Sequence, residues 1–280
     1  MTMRKIKSLI RNAAGITLTE TMIALFLTGL VSSAVFKVYI DQHKNWMIQE
    51  GITDMQQSAR GAIDELTRYI RMAGYNLPPG FNAVEGLNTD PDTIMVSFCS
   101  DRGRAALAYD MATPSEALHC DGYDLSYFKE GQWLYIYSPD SGGGEFLQVS
   151  HIDSGAYVID HAYTPLSQNY PHGSLILPIQ SMKYYVDYSD SLHPNLMLQL
   201  LGQNPVVYAE GVDDIQFKYR MKNEMVLDVP VIPSNVREIL ITVATRSAEP
   251  DPDQPDPYRH RVFSSRVNLR NLDIRCNEGS

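Results

Sequence analysis

One stretch limits what this chain can become more than any other: residues 16–36, ITLTETMIALFLTGLVSSAVF. As a helix rising about 1.5 Å per residue it measures about 31 Å, close to the hydrocarbon thickness of a bilayer. Glu20 is its one charged residue, and Lys37 follows where its stem can carry the ammonium to the headgroups. Ahead of the run lie Arg4, Lys5, Lys7 and Arg11 with no acid among the first 15 residues. That asymmetry holds the amino-terminal end in the cytoplasm and sends the rest across. A cleaved secretory signal is one reading, with Ser32-Ser33-Ala34 as small residues for a cut. A plain signal anchor is another. Neither accounts for a carboxylate inside the apolar run, where an acid without a partner is costly.

The residues around that acid carry a resemblance. Gly15-Ile16-Thr17-Leu18-Thr19-Glu20, behind a short basic leader and ahead of an uninterrupted apolar run, resembles the processing site of type IV prepilins and type II secretion pseudopilins. The resemblance implies cleavage between Gly15 and Ile16 by a prepilin peptidase, N-methylation of Ile16, and an assembly role for Glu20. The family usually has phenylalanine directly after the cut; Ile16 keeps the apolar character. Physically, glycine lets a protease approach the scissile peptide closely. An acid left unpaired in the isolated chain becomes favourable when a neighbouring subunit's terminal ammonium meets it.

Beyond the span, Ile48, Ile52, Met55, Ala59, Ile63, Leu66 and Ile70 recur at steps of three and four, while Asp54, Arg60, Asp64, Arg68 and Arg71 fall opposite. The pattern predicts one long helix over 16–73, its first part spanning the membrane and 37–73 laying an apolar stripe on a globular domain. Gly51 and Gly61 are places for local bending, and Gly74 with Pro78-Pro79-Gly80 stops the helix. From residue 74 to 280 the period changes to two. Strands are expected at 93–98, at 123–128 and 132–137 joined across Lys129-Glu130-Gly131, and at 145–150, 157–159, 180–188, 197–201, 214–220, 238–245 and 259–269. The fold class is therefore α+β, a long helix packed on a mostly antiparallel sheet domain, which is also what a pilin resemblance implies.

Later segments extend the likeness. Pro205 to Tyr219, with Glu210-Gly211-Val212 at its turn, resembles a strand of PilW-like minor pilins and GspJ-like pseudopilins. Val236–Ser247 resembles their next strand, and Arg259–Asn271 a PilW-type closing strand.

Composition narrows the chemistry. The chain carries a net charge of −10 over 280 residues, and with the four leader bases set aside 19 bases face 33 acids. A nucleic-acid role is disfavoured, since phosphate binding needs a basic face. Cys99, Cys120 and Cys276 show no metal-ligand spacing, so no structural zinc is expected. In an exported domain Cys99 and Cys120 are a candidate disulfide; as small apolar residues they need no bond at all. No catalytic signature is present, and Ser141-Gly142-Gly143-Gly144 reads as a hairpin loop. His151 and His161, with Asp153 and Asp160, bracket a short strand but lack an evident third metal ligand. Glu249–Pro257 alternates prolines with acids and reads as a stiff solvated loop, and Trp133, Tyr135 and Tyr137 as one face of a sheet.

The resemblance thus implies a minor pilin of the priming or tip complex, without cofactor, metal or catalysis. Its partners would be the prepilin peptidase, other minor pilins, the major pilin and the inner-membrane assembly platform. A GspJ-like pseudopilin is the alternative within the class. A membrane-anchored periplasmic binding or enzymatic domain is the alternative outside it.

Overall fold

The computed structural model describes residues 15–161, 165–251 and 255–275, the last three by their backbone only. The leader bases, Cys276 and residues 252–254 of the proline-rich segment lie outside the described residues. The chain divides into two compact units, Met1–Gly51 and Ile52–Ser280. One helix, α1 (Leu18–Met72), begins in the first and ends in the second.

In the first unit α1 is long and apolar enough to cross a membrane, and none of the residues in that window is buried. Met22, Leu25, Phe26, Leu30, Val35 and Phe36 are all more than half exposed. Just past the run, Tyr39, His43 and Trp46 stack along one side, with ring centroids about 6 Å apart.

In the second unit the helix does what its periodicity predicts. Met55, Ala59, Ala62, Leu66 and Ile70 are buried, whereas Asp54, Arg60, Asp64, Arg68 and Arg71 face water. Its end is built twice over. The Asn271 amide donates to the carbonyls of Arg71, Met72 and Ala73 at 3.3–3.4 Å, satisfying acceptors that every helix end leaves open. Gly74 then takes φ +82°, and a Cβ there would meet the Leu272 side chain at 2.8 Å, so glycine is required by conformation and by space.

Among the described residues fifteen strands follow. They are β1 (Val84–Leu87), β2 (Thr93–Cys99), β3 (Ala105–Ala106), β4 (Leu118–His119) and β5 (Trp133–Tyr137). Next come β6 (Gly144–Asp153), β7 (Val158–His161), β8 (Leu175–Leu177), β9 (Ile179–Asp187) and β10 (Asn195–Leu200). The last are β11 (Val206–Glu210), β12 (Val212–Met221), β13 (Val226–Leu227), β14 (Val236–Arg246) and β15 (His260–Asn268), and a short helix, α2 (Arg270–Arg275), closes the described chain.

They form three antiparallel sheets, ordered β1-β2-β9-β10-β11, β13-β12-β14-β15 and β3-β8-β5-β6-β7-β4. Gly211 is the junction at which the chain leaves the first sheet for the second. The helix residues Ala62, Leu66 and Ile70 share one core with those two sheets, including Ile94, Tyr184, Phe217 and Ile241. A separate core lies on the third sheet, around Leu118, Leu134, Ile136, Ile159 and Ile176.

A clamp joins the first sheet to the second. β13 covers only the end of β12, and Asp92, at the entry to β2, takes the place of a strand further along. Its backbone N–H donates to the Ile215 carbonyl at 2.9 Å, and its Oδ2 accepts from Phe217 N–H at 2.7 Å. Close by, Tyr219 lies so near Gly86 of β1 that a Cβ there would meet the phenol oxygen at 2.2 Å.

Two expectations need correction. Residues 123–128 are not a strand: Asp124 accepts from Ser126 N–H at 3.0 Å and starts a 3-10 turn at Leu125–Tyr127, so β5 pairs instead with β6 and β8. The candidate Cys99–Cys120 disulfide is not formed. Both thiols are free and buried, Cys99 in the core under the helix and Cys120 in the core of the third sheet.

Candidate functional site: the amino-terminal segment

The residues that drew attention in sequence meet at the start of α1. Thr17 is its N-cap. The Thr17 backbone N–H and hydroxyl both donate to Glu20 Oε2, at 3.0 and 2.9 Å, and the Glu20 N–H donates back to Thr17 Oγ1 at 3.3 Å. Threonine followed three residues later by glutamate is a reciprocal capping box, in which each side chain satisfies an amide the helix leaves open. The first helical bond, Thr21 N–H to the Thr17 carbonyl at 3.1 Å, follows from it. The box also meets the macrodipole's preference for negative charge in the first turn.

Glu20 is therefore not bare in the single chain, as the sequence suggested. Its Oε2 is taken by Thr17, while no cation meets the carboxylate among the described residues and Oε1 is left without a partner there. Thr17 is the site residue that sequence reasoning passed over. The threonine-x-x-glutamate spacing was the available signal. Gly15 and Ile16 precede the helix, Ile16 is 80% exposed, and nothing lies within 4 Å of where a Cβ would stand on Gly15.

The other candidates disperse. His151 shares a 2.7 Å hydrogen bond with Glu130, and His161 Nε2 lies 3.1 Å from the Glu116 carbonyl oxygen. Asp153 accepts from the Gly155 and Ala156 amides in a turn. Among the described residues no group of His, Cys, Asp and Glu is arranged to hold a metal ion. Burial pushes the Cys99 thiol up to about 11 and the Cys120 thiol up to about 12, which leaves neither as a ready nucleophile. Tyr135 packs edge-on to Phe81 and Phe146 at 5.0 Å, and Tyr137 is buried, so these aromatics are sheet packing. The described residues of the proline-rich segment are exposed as expected except Asp251, which is 3% exposed and accepts from Arg259 Nε and Nη2 at 3.0 and 2.6 Å.

Fold and site together define a class: an α+β chain with one amino-terminal helix of membrane-spanning length, opened by a capping box that among the described residues leaves one carboxylate oxygen without a partner. Among solved structures the chain is similar to a type IV-like pilin from Thermus thermophilus, at 10% identity and a TM-score of 0.37, over 79% of this chain and 97% of that one. That likeness is too slight to add to what the fold itself shows. No protein-family model matches the chain, and no curated protein does.

Proposed function

We propose that this chain is a minor pilin of the PilW-like type, made as an inner-membrane precursor with its leader in the cytoplasm and its β domain in the periplasm. A prepilin peptidase cuts after Gly15, Ile16 becomes the N-methylated terminus, and the helix enters a pilus bundle with other minor pilins and the major pilin at the assembly platform. The observation that carries this reading is Glu20. It is held by Thr17 through one oxygen, offers the other, and heads an apolar helix whose first unit buries nothing of its own. A neighbour's terminal ammonium on Oε1 completes the pairing that a carboxylate in an apolar setting needs.

The experiment is the intact mass and amino-terminal sequence of the protein recovered from membranes or sheared filaments. A chain beginning at N-methylated Ile16, with piliation lost on Glu20→Ala, is the expected result. A chain beginning at Val35 or Met1, or full piliation in the Glu20→Ala strain, removes the pilin reading.

A further inference from the structure

The strand edges of this domain are unequal. The first sheet ends in β1, four residues, and β11, five residues with Pro205 directly before it. The partner of β11 carries a bulge at Leu196/Met197. The third sheet ends in β3 and β4, two residues each, and the second sheet's near edge is β13, also two. Its far edge is β15, nine residues without proline, laddered to β14 from Glu238↔Asn268 to Arg246↔His260 with no shift of register. Proteins normally shorten, bend or cover an edge, because a row of open amides and carbonyls recruits another strand.

The ladder shows which groups are open. Ser247 N–H donates to the Arg259 carbonyl and Leu269 N–H to the Arg237 carbonyl, both at 2.9 Å, so the odd-numbered residues of β15 bond to β14. Val262, Ser264 and Arg266 then turn their amides and carbonyls the other way, where no strand lies among the described residues. The Val262 side chain is 65% exposed. The edge is also basic in an acidic molecule. From Tyr258 to Leu272 there are Arg259, His260, Arg261, Arg266 and Arg270 and no acid. Arg259 and His260 have carboxylate partners within the chain, but Arg261 and Arg266 are exposed and have none among the described residues.

We infer that β15 is a docking edge that takes an extended, acidic strand from a different chain. Main-chain hydrogen bonds supply the register, as in strand addition generally. Arg261 and Arg266 choose the partner. A second copy paired through its own β15 would set another acid-free basic segment beside this one, which the summed charge of the two segments opposes. Glutamate or aspartate facing Arg261 and Arg266 turns the same charges into attraction. The inference rests on the β domain alone and is independent of how the amino terminus is processed.

The test uses the full chain in detergent micelles with two short valine-rich peptides, one with two glutamates five positions apart to stand opposite Arg261 and Arg266, which lie on opposite faces of β15, and one with lysines at the same positions. Hydrogen exchange at Val262, Ser264 and Arg266 should be fast in the free protein and slowed by the acidic peptide only. Ser264→Pro removes an outward N–H and leaves the β14 ladder whole; Arg266→Glu reverses the charge. Each should weaken binding of the acidic peptide roughly tenfold, the order of one lost hydrogen bond or ion pair. The inference fails if the acidic peptide gives no protection, if the lysine peptide protects equally, or if Arg266→Glu binds the acidic peptide as tightly as the parent. It also fails if the outward amides are already protected in the free chain, or if the chain is a dimer that Ser264→Pro dissociates, since the edge then belongs to this chain itself.

Discussion

The two halves of α1 share one backbone and have opposite surfaces. Residues 18–51 bury nothing, although they hold the most apolar stretch of the molecule; residues 52–72 are more polar and bury a complete stripe. The difference lies in what each half is given to pack against. The second half has two sheets of its own chain, and Leu66 and Ile70 are fully enclosed by them. In the first half Leu25, Phe26 and Leu30 are each more than half exposed, and apolar surface of that kind is satisfied by lipid or by other helices. Hydrophobicity alone therefore does not say which part of a helix is core.

The largest effect expected from this contrast is on global stability. Leu66→Ala removes a side chain that is 0% exposed and should destabilise the domain by about 2–5 kcal/mol. Leu25→Ala, at a position 68% exposed, should leave unfolding of the domain unchanged. Denaturant unfolding of the detergent-solubilised chain, followed at Trp133 in a Trp46→Phe background, reads both. Equal effects would mean that Leu25 contributes to the stability of the domain as Leu66 does, and the contrast would collapse.

A smaller effect separates the two units by their acids. Glu20 is exposed and hydrogen-bonded, whereas Asp92 is 3% exposed, and its Oδ1 has no hydrogen-bond partner among the described residues. Burial is the main cause that raises the Asp92 pKa; the Phe217 and Thr89 amides oppose it, and the Asp214 and Asp228 charges add to it. The folded protein thus keeps this proton at a pH where the unfolded chain has released it. The stability that follows is full below the ordinary aspartate value of about 3.9 and is lost as pH rises through the raised one. Asp92→Asn keeps an acceptor for Phe217 N–H and cannot ionise. The stability of the parent relative to this variant should therefore fall as pH is raised from about 3 to about 7. A flat difference would show that Asp92 ionises in the fold as it does in the open chain.

Much of this was legible in the sequence, for stated reasons. The helix announced itself through a seven-residue stripe and a glycine stop, and the longer strands β2, β9, β12, β14 and β15 through alternation sustained over seven or more residues. The strands β1, β3, β4, β8 and β13, of two to four residues, were too short to be read from alternation, although β7, also of four, was anticipated at 157–159. Residues 123–128 alternate like a strand, yet Asp124 offers its own acceptor to the backbone and a turn wins. The cysteine pair failed for a different reason, because two buried thiols twenty-one positions apart carry no sign of which core each will enter. At the amino terminus the position of Glu20 was plain, but its bond to Thr17 was hidden behind the resemblance that made Glu20 interesting.

That bond gives the smallest and most local prediction. Thr17→Ala removes the N-cap hydroxyl, and with it both the acceptor for Glu20 N–H and one of the two donors to Oε2. The first turn should fray, so amide exchange at Glu20 and Thr21 should rise several-fold while exchange at residues 52–72 and unfolding at Trp133 stay as they were. Thr17→Ser keeps the hydroxyl and should restore slow exchange. If the first turn is equally protected in the alanine variant, the capping box contributes nothing in the membrane setting, and Glu20 must be held there by another group. If instead the whole helix down to Met72 loosens, the two halves of α1 are one cooperative unit, and the contrast in their surfaces is not a contrast in their stability.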